Sequence, residues 1–125
     1  MEKRALDSRK RIGAEGEEVA AAYLHNLGYR IHHRNWRCSR GEIDIIAEFE
    51  GRLIFIEVRS RSIHGKYGTA KESVDARKQQ QVRETAQFYL HRFHQHERNL
   101  RFDVITVEFN GEGQTPHLEH TKGAF

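Results

Sequence analysis

Residues 41–59, GEIDIIAEFEGRLIFIEVR, put two acids where a half-buried strand wants apolar side chains: Asp44 in the first apolar run and Glu57 in the second. A Glu-Gly-Arg turn signal separates the runs, so they read as a hairpin. With a two-residue turn at Glu50-Gly51, Phe49 faces Arg52, Asp44 falls opposite Glu57 and Glu42 opposite Arg59, and all four of those polar side chains share one sheet face. Directly opposed side chains stand roughly 5 Å apart at Cβ, where like charges repel. A divalent cation between the two carboxylates removes that penalty. Mg²⁺ suits the position because it is hard and commonly held by one or two carboxylates together with water and substrate phosphate. A three-residue loop with Gly51 in a bulge is the alternative, and it sends the two acids to opposite faces. The other reading of the same residues is a cross-strand Glu42–Arg59 ion pair, with Asp44 and Glu57 solvated on an open face.

The elements that must position this hairpin are legible around it. From about Ser8 to Leu27, the residues Ile12, Gly16, Val19, Ala20, Tyr23 and Leu27 fall on one helical face, and Gly28 stands where a helix-ending glycine belongs. YRIHHRNW, 29–36, can form a strand with a charged side. Strands follow at 42–48 and 53–60, then a loop, RSIHGKYGTA. A second helix begins at Ser73 or Asp75, either of which can serve as N-cap, and runs to His94 with Val82, Ala86, Tyr89 and Phe93 as its stripe. FDVITVEF, 102–109, alternates as a strand. The order α-β-β-β-α-β predicts a mixed sheet of about four strands packed with two helices, in one α/β domain over residues 1–110. Residues 111–125 are expected to be a flexible tail.

The chain has 125 residues and a formal charge of +3, and the excess is unevenly spread. No acid occurs from Val19 to Gly41, where Arg30, Arg34, Arg37 and Arg40 follow one another. Such a stripe fits a phosphate-binding face, and equally a solvated loop and edge strand. The single cysteine, Cys38, excludes an intramolecular disulfide and a Cys-based zinc site, which favours a reducing cytoplasm. The N-terminus lacks the apolar stretch of a signal peptide, and no apolar run approaches the roughly 20 residues of a membrane span. His91 and His94 share a helical face, but no acid or cysteine completes a zinc set with them. Trp36 is expected to anchor the core.

Several motifs occur together: Gly13-x-x-Gly16-Glu17, Asn35-Trp36-Arg37, Arg40-Gly41-Glu42-Ile43-Asp44, Phe55-Ile56-Glu57-Val58-Arg59-Ser60-Arg61 and Tyr67-Gly68. The combination resembles the YraN-type family, assigned to the PD-(D/E)xK nuclease superfamily with archaeal Holliday-junction resolvases and many restriction endonucleases, and the likeness covers about residues 10–108. It implies a restriction-endonuclease-like αβββαβ core and a Mg²⁺- or Mn²⁺-dependent endonuclease acting on DNA rather than RNA, on branched or single-stranded substrates, in repair or recombination. Asp44 then matches the motif aspartate, Glu57 the second acid, and Arg59 the position of the motif lysine. Glu17 matches the helix-one acid that resolvase-like members add to the metal site, and it lies at the edge of the apolar stripe, within about 20° of Leu24. Lys78 lines up with a polar position that often faces the active site. Resolvase-like relatives are often dimers, so a homodimer is compatible with the likeness.

Arg59 departs from the pattern. Arginine stays charged and cannot be a general base, but it can stabilise charge on phosphate while a metal generates hydroxide. The basic stripe, through Arg34, Arg37 and Arg40, and the loop residues Arg61, Lys66 and Tyr67 are expected to grip the backbone and stack on an unpaired base. Two rival readings stand beside the nuclease: a nucleic-acid-binding module with this fold and no turnover, and an interaction protein that recruits a repair partner through its sheet edge.

Overall fold

The structure, a computed structural model, describes residues 2–62, 74–111 and 113–125, so Lys66, Tyr67 and the alternative N-cap Ser73 lie outside the described residues. Its elements are α1 (Glu2–Asn26), β1 (Arg30–Cys38), β2 (Gly41–Phe49), β3 (Arg52–Ser62), α2 (Ala76–Arg92), β4 (Asn99–Phe109) and β5 (His117–Thr121). The five strands form one sheet in chain order. β3 and β4 run parallel, with α2 in the connection between them, and the other neighbours are antiparallel. α1 buries Ala20 and Leu24 with Ile54, Ile56 and Ile105 on one face of the sheet. α2 buries Val82, Ala86 and Tyr89 with Ile46, Leu53 and Phe55 on the other. No helix among the described residues is long and apolar enough to cross a membrane.

The hairpin turn has two residues. Glu50 at φ 50° and Gly51 at φ 78° are both left-handed, as a type I′ turn demands. The β2–β3 ladder accordingly starts at Phe49↔Arg52, which rules out the three-residue loop and its one-residue slip. At α2 the N-cap is Asp75, whose carboxylate accepts the Lys78 N–H at 2.9 Å. Trp36 packs edge-on against Tyr89 at 5.2 Å, at the border of the core under α2.

Two expectations need correction. Leu27 does not belong to the buried stripe of α1: it is 47% exposed. The helix has already ended at Asn26, and Tyr29 takes the inward position as its N–H bonds back to the Leu24 carbonyl at 3.0 Å. The segment after residue 110 is not wholly a loose tail, because residues 117–121 add β5 to the edge of the sheet. The tie is partly apolar, through Leu118 and Phe125, and partly polar. Asp103, fully buried on β4, accepts Arg101 at 2.8 Å through both its oxygens, His120 Nε2 at 2.7 Å and the Gly123 N–H at 3.0 Å. Burial alone would raise the Asp103 pKa, but His120, Arg101 and the Gly123 amide outweigh it and hold the carboxyl below its usual range. Tyr29 and Tyr23 complete the network, by bonds to Arg101 at 2.8 Å and to His120 Nδ1 at 2.9 Å, and so connect β5 to the helix α1 side of the core.

α1 is held close to β3 by Gly16. A Cβ at that position would lie 1.7 Å from Ser60 Oγ and 2.8 Å from Ser60 Cβ, so only glycine lets the helix rest there. Gly16→Ala is expected to destabilise the fold by about 1–3 kcal/mol, the range for overpacking, despite alanine's better helix propensity. Thermal unfolding checks this, and Ser60→Gly in the same chain should recover part of the loss.

Candidate functional site

Asp44 sits where β2 changes faces. Ile45 packs in the cluster under α1, whereas Ile43 packs in the cluster under α2, although strand periodicity would put both on one side. β1 makes the same reversal beside it. Arg34, the ladder partner of Ile45, pairs with Glu18 of α1 at 3.0 Å, while Trp36, the partner of Ile43, lies against α2. Between them Asn35 adopts φ 52°, a left-handed conformation that asparagine tolerates better than most residues. The β2–β3 ladder ends at Ile45↔Ile56. Past that point the acids themselves bridge the strands: Asp44 Oδ2 accepts the Val58 N–H at 2.8 Å, and Glu57 Oε2 accepts the Asp44 N–H at 3.5 Å.

The pair is poorly hydrated. Glu57 is only 2% exposed. Burial and the charge of Glu57 push the Asp44 pKa up to about 7, with a further rise from Glu17; the Val58 amide and Arg59 oppose it. Burial likewise raises Glu57, against the pull of Lys78 and Arg59. Lys78 Nζ stands 3.4 Å from Glu57 Oε1. Burial is the first cause of both shifts, and a divalent ion between the carboxylates would favour their charged forms. Among the described residues no three His, Cys, Asp or Glu side chains converge as a ready-made metal cluster. Two carboxylates with room for water match the sparse protein ligation of Mg²⁺ better than that of a caged ion.

A cleft of about 510 Å³ brings together Asp44, Glu57, Arg59, Lys78, Arg37 and Glu42, with Gln81 on its wall. Glu17, half-buried on α1, is close enough to act on Asp44 by charge. Arg40 lines the adjoining groove with Arg77, and Lys78 and Gln81 are common to both. The remaining cations are placed otherwise. Arg34 is turned to the α1 side by its Glu18 pair, and Arg61 Nε bonds Glu108 at 3.0 Å. Glu42 pairs with Arg37 at 2.6 Å, so the Glu42–Arg59 pair does not form. The physical reason is the reversal at Asp44, which leaves Glu42 on the β1 side, where Arg37 is its ladder partner. Gln81 escaped the reading of the sequence, although its place three residues after Lys78 puts it on the same helical face.

Fold and site together define a restriction-endonuclease-like α/β domain with its acidic pair at the opened end of the central hairpin. Comparison with known proteins gives the family. Residues 16–107 match the family model described as uncharacterised protein family UPF0102, and the chain belongs to that family. It is 48% identical to a UPF0102 protein of Desulforamulus reducens over 93% of this chain and 96% of the relative. Identity to the UPF0102 protein of Moorella thermoacetica is 45%, covering 94% and 98% respectively. A third such protein, from Rhodococcus opacus, is 41% identical over 91% of this chain and 95% of its own length.

The raised Asp44 pKa has a consequence for stability. The fold favours the protonated carboxyl, so the stability this group contributes is complete below the range of an unfolded aspartate and is lost as pH rises through about 7. Asp44→Asn, neutral throughout, should therefore stabilise the metal-free protein at about pH 8 by on the order of 2 kcal/mol and leave it little changed at about pH 4. Urea titrations at the two pH values measure the difference.

Proposed function

We propose that the protein is a divalent-metal-dependent phosphodiesterase acting on DNA, of the endonuclease kind. The observation that carries this reading is the partly buried Asp44–Glu57 pair, bridged strand to strand and open to a cleft, with both carboxyl pKa values raised. Asp44 and Glu57 would hold Mg²⁺ or Mn²⁺, and Glu17 would extend the site from α1. The ion would supply a hydroxide nucleophile and polarise the phosphoryl oxygen. Arg59 stabilises charge on the scissile phosphate and never gives up its proton. Lys78, at the start of α2 and 3.4 Å from Glu57, brings to the site the amine that the motif position on β3 lacks. Arg37, Arg40 and Arg77 border the continuous trough along which a phosphate backbone would lie.

A second reading, nucleic-acid binding without turnover, is favoured by one residue alone: Arg59, fixed in charge where the motif carries a lysine.

The two differ in a cleavage assay. With Mn²⁺ or Mg²⁺, the protein is expected to cut a Holliday-junction, flap or single-stranded DNA substrate, and Asp44→Asn should lower the rate by at least about a hundredfold. Undiminished cutting by that variant would contradict the assignment. Salt-sensitive binding without products supports the second reading, above all if Arg59→Lys then confers cutting.

A further inference from the structure

Among the described residues, two buried side-chain polar atoms have no hydrogen-bond partner: Arg59 Nε and Thr106 Oγ1. They are neighbours. Arg59 on β3 is the ladder partner of Thr106 on the parallel strand β4. Paired residues in a parallel ladder point to the same face, and Arg59 shares its face with Glu57 two residues before it. The residues alternating with them confirm the parity: Val58 and Val107 pack in the cluster under α1, on the opposite side. The two residues thus share the sheet face that carries Glu57; Arg59 lines the cleft with both acids, while Thr106 is buried next to it on β4, outside the cleft lining. Thr106 is 6% exposed, so bulk water does not serve its hydroxyl.

Buried polar atoms without partners are uncommon in folded proteins, and two on ladder-paired residues beside the acidic pair ask for an explanation. Arg59 Nε can only donate and its guanidinium is permanently charged; the Thr106 hydroxyl can donate as well. The complement of that set is an anionic oxygen with more than one lone pair. We propose that Arg59 and Thr106 form an oxyanion seat that receives a non-bridging oxygen of a phosphodiester bound beside Asp44 and Glu57. The proposal takes its ligand class from the nuclease reading and adds to it a residue on β4, a strand to which that reading gave no role. Thr106 then serves as a binding group rather than as a β-branched filler of the core, and its unpaired hydroxyl is the mark of that service.

The test reads the seat without metal or turnover. In the Asp44→Asn protein, which removes one repelling charge, inorganic phosphate is titrated in metal-free buffer while the Arg59 Nε–H resonance is followed by NMR. Phosphate should shift that resonance, and Thr106→Val in the same background should weaken the affinity about tenfold, as expected for losing a hydrogen bond to a charged group. Thr106→Ser, which keeps the hydroxyl, should retain most of the affinity. The melting temperature of the valine variant should be equal or higher, because an unpartnered buried hydroxyl gives way to a methyl of the same shape. Equal phosphate affinity in the valine variant would overturn the proposal and leave a buried water or simple packing as the role of Thr106. Absence of any phosphate response at Arg59 would overturn it too. A failed nuclease reading shows instead as missing DNA cleavage with the phosphate response intact, so the two failures are told apart.

Discussion

Two carboxylates held close together in a mostly buried place are expensive, and much of this fold is arranged around keeping Asp44 and Glu57 there. The cost is visible in their raised pKa values, driven first by burial. It is limited by local means. Each acid accepts a backbone N–H across the strand gap, from Val58 to Asp44 and from Asp44 to Glu57. Those bonds require the β2–β3 ladder to stop at Ile45↔Ile56, so the opened hairpin end and the acidic pair are one feature. Arg59 and Lys78 draw the Glu57 pKa down against the burial.

The surrounding architecture serves that opening. The paired reversal at Asn35 and Asp44 lets β1 and β2 change faces together, keeping Trp36 and Ile43 under α2 while Arg34 and Ile45 face α1. Gly16 allows α1 to touch β3 at Ser60, which brings the next residue, Glu17, within electrostatic reach of Asp44. On the opposite layer, Asp75 caps α2 through the amide of Lys78, so the residue whose side chain reaches Glu57 is also fixed at the backbone. Farther off, Asp103 fastens the β5 edge with three hydrogen-bonding residues, and removing Arg101 alone would leave the buried carboxylate without its cation.

Much of this was legible because it follows from short-range rules. A Glu-Gly pair between alternating apolar runs specifies a tight turn, and the turn fixes the register that brings Asp44 to Glu57. The Asp75 cap and the Val82–Ala86–Tyr89 stripe are equally local. What escaped depends on long-range pairing. HLEHT has too few apolar residues to announce a strand; His120 finds Asp103 only in the folded sheet. Nothing in NWRCSRGEID signals that Asn35 and Asp44 reverse their strands together, and that reversal decides that Glu42 meets Arg37 instead of Arg59. Thr106 hides inside an ordinary alternating strand, VITVEF. Only the pairing with Arg59 shows that its hydroxyl is left over. The motif residues were visible from the likeness to a nuclease family, but the placement of Lys78 against Glu57 needed coordinates.

The central claim is that Asp44 and Glu57 together clasp one divalent ion, and calorimetric titration of Mn²⁺ into the wild type and Glu57→Gln tests it most directly. The account predicts a saturable heat with one ion per chain in the wild type, and its loss in the variant at unchanged folding. Equal heats in the two proteins, or none in the wild type, would contradict it.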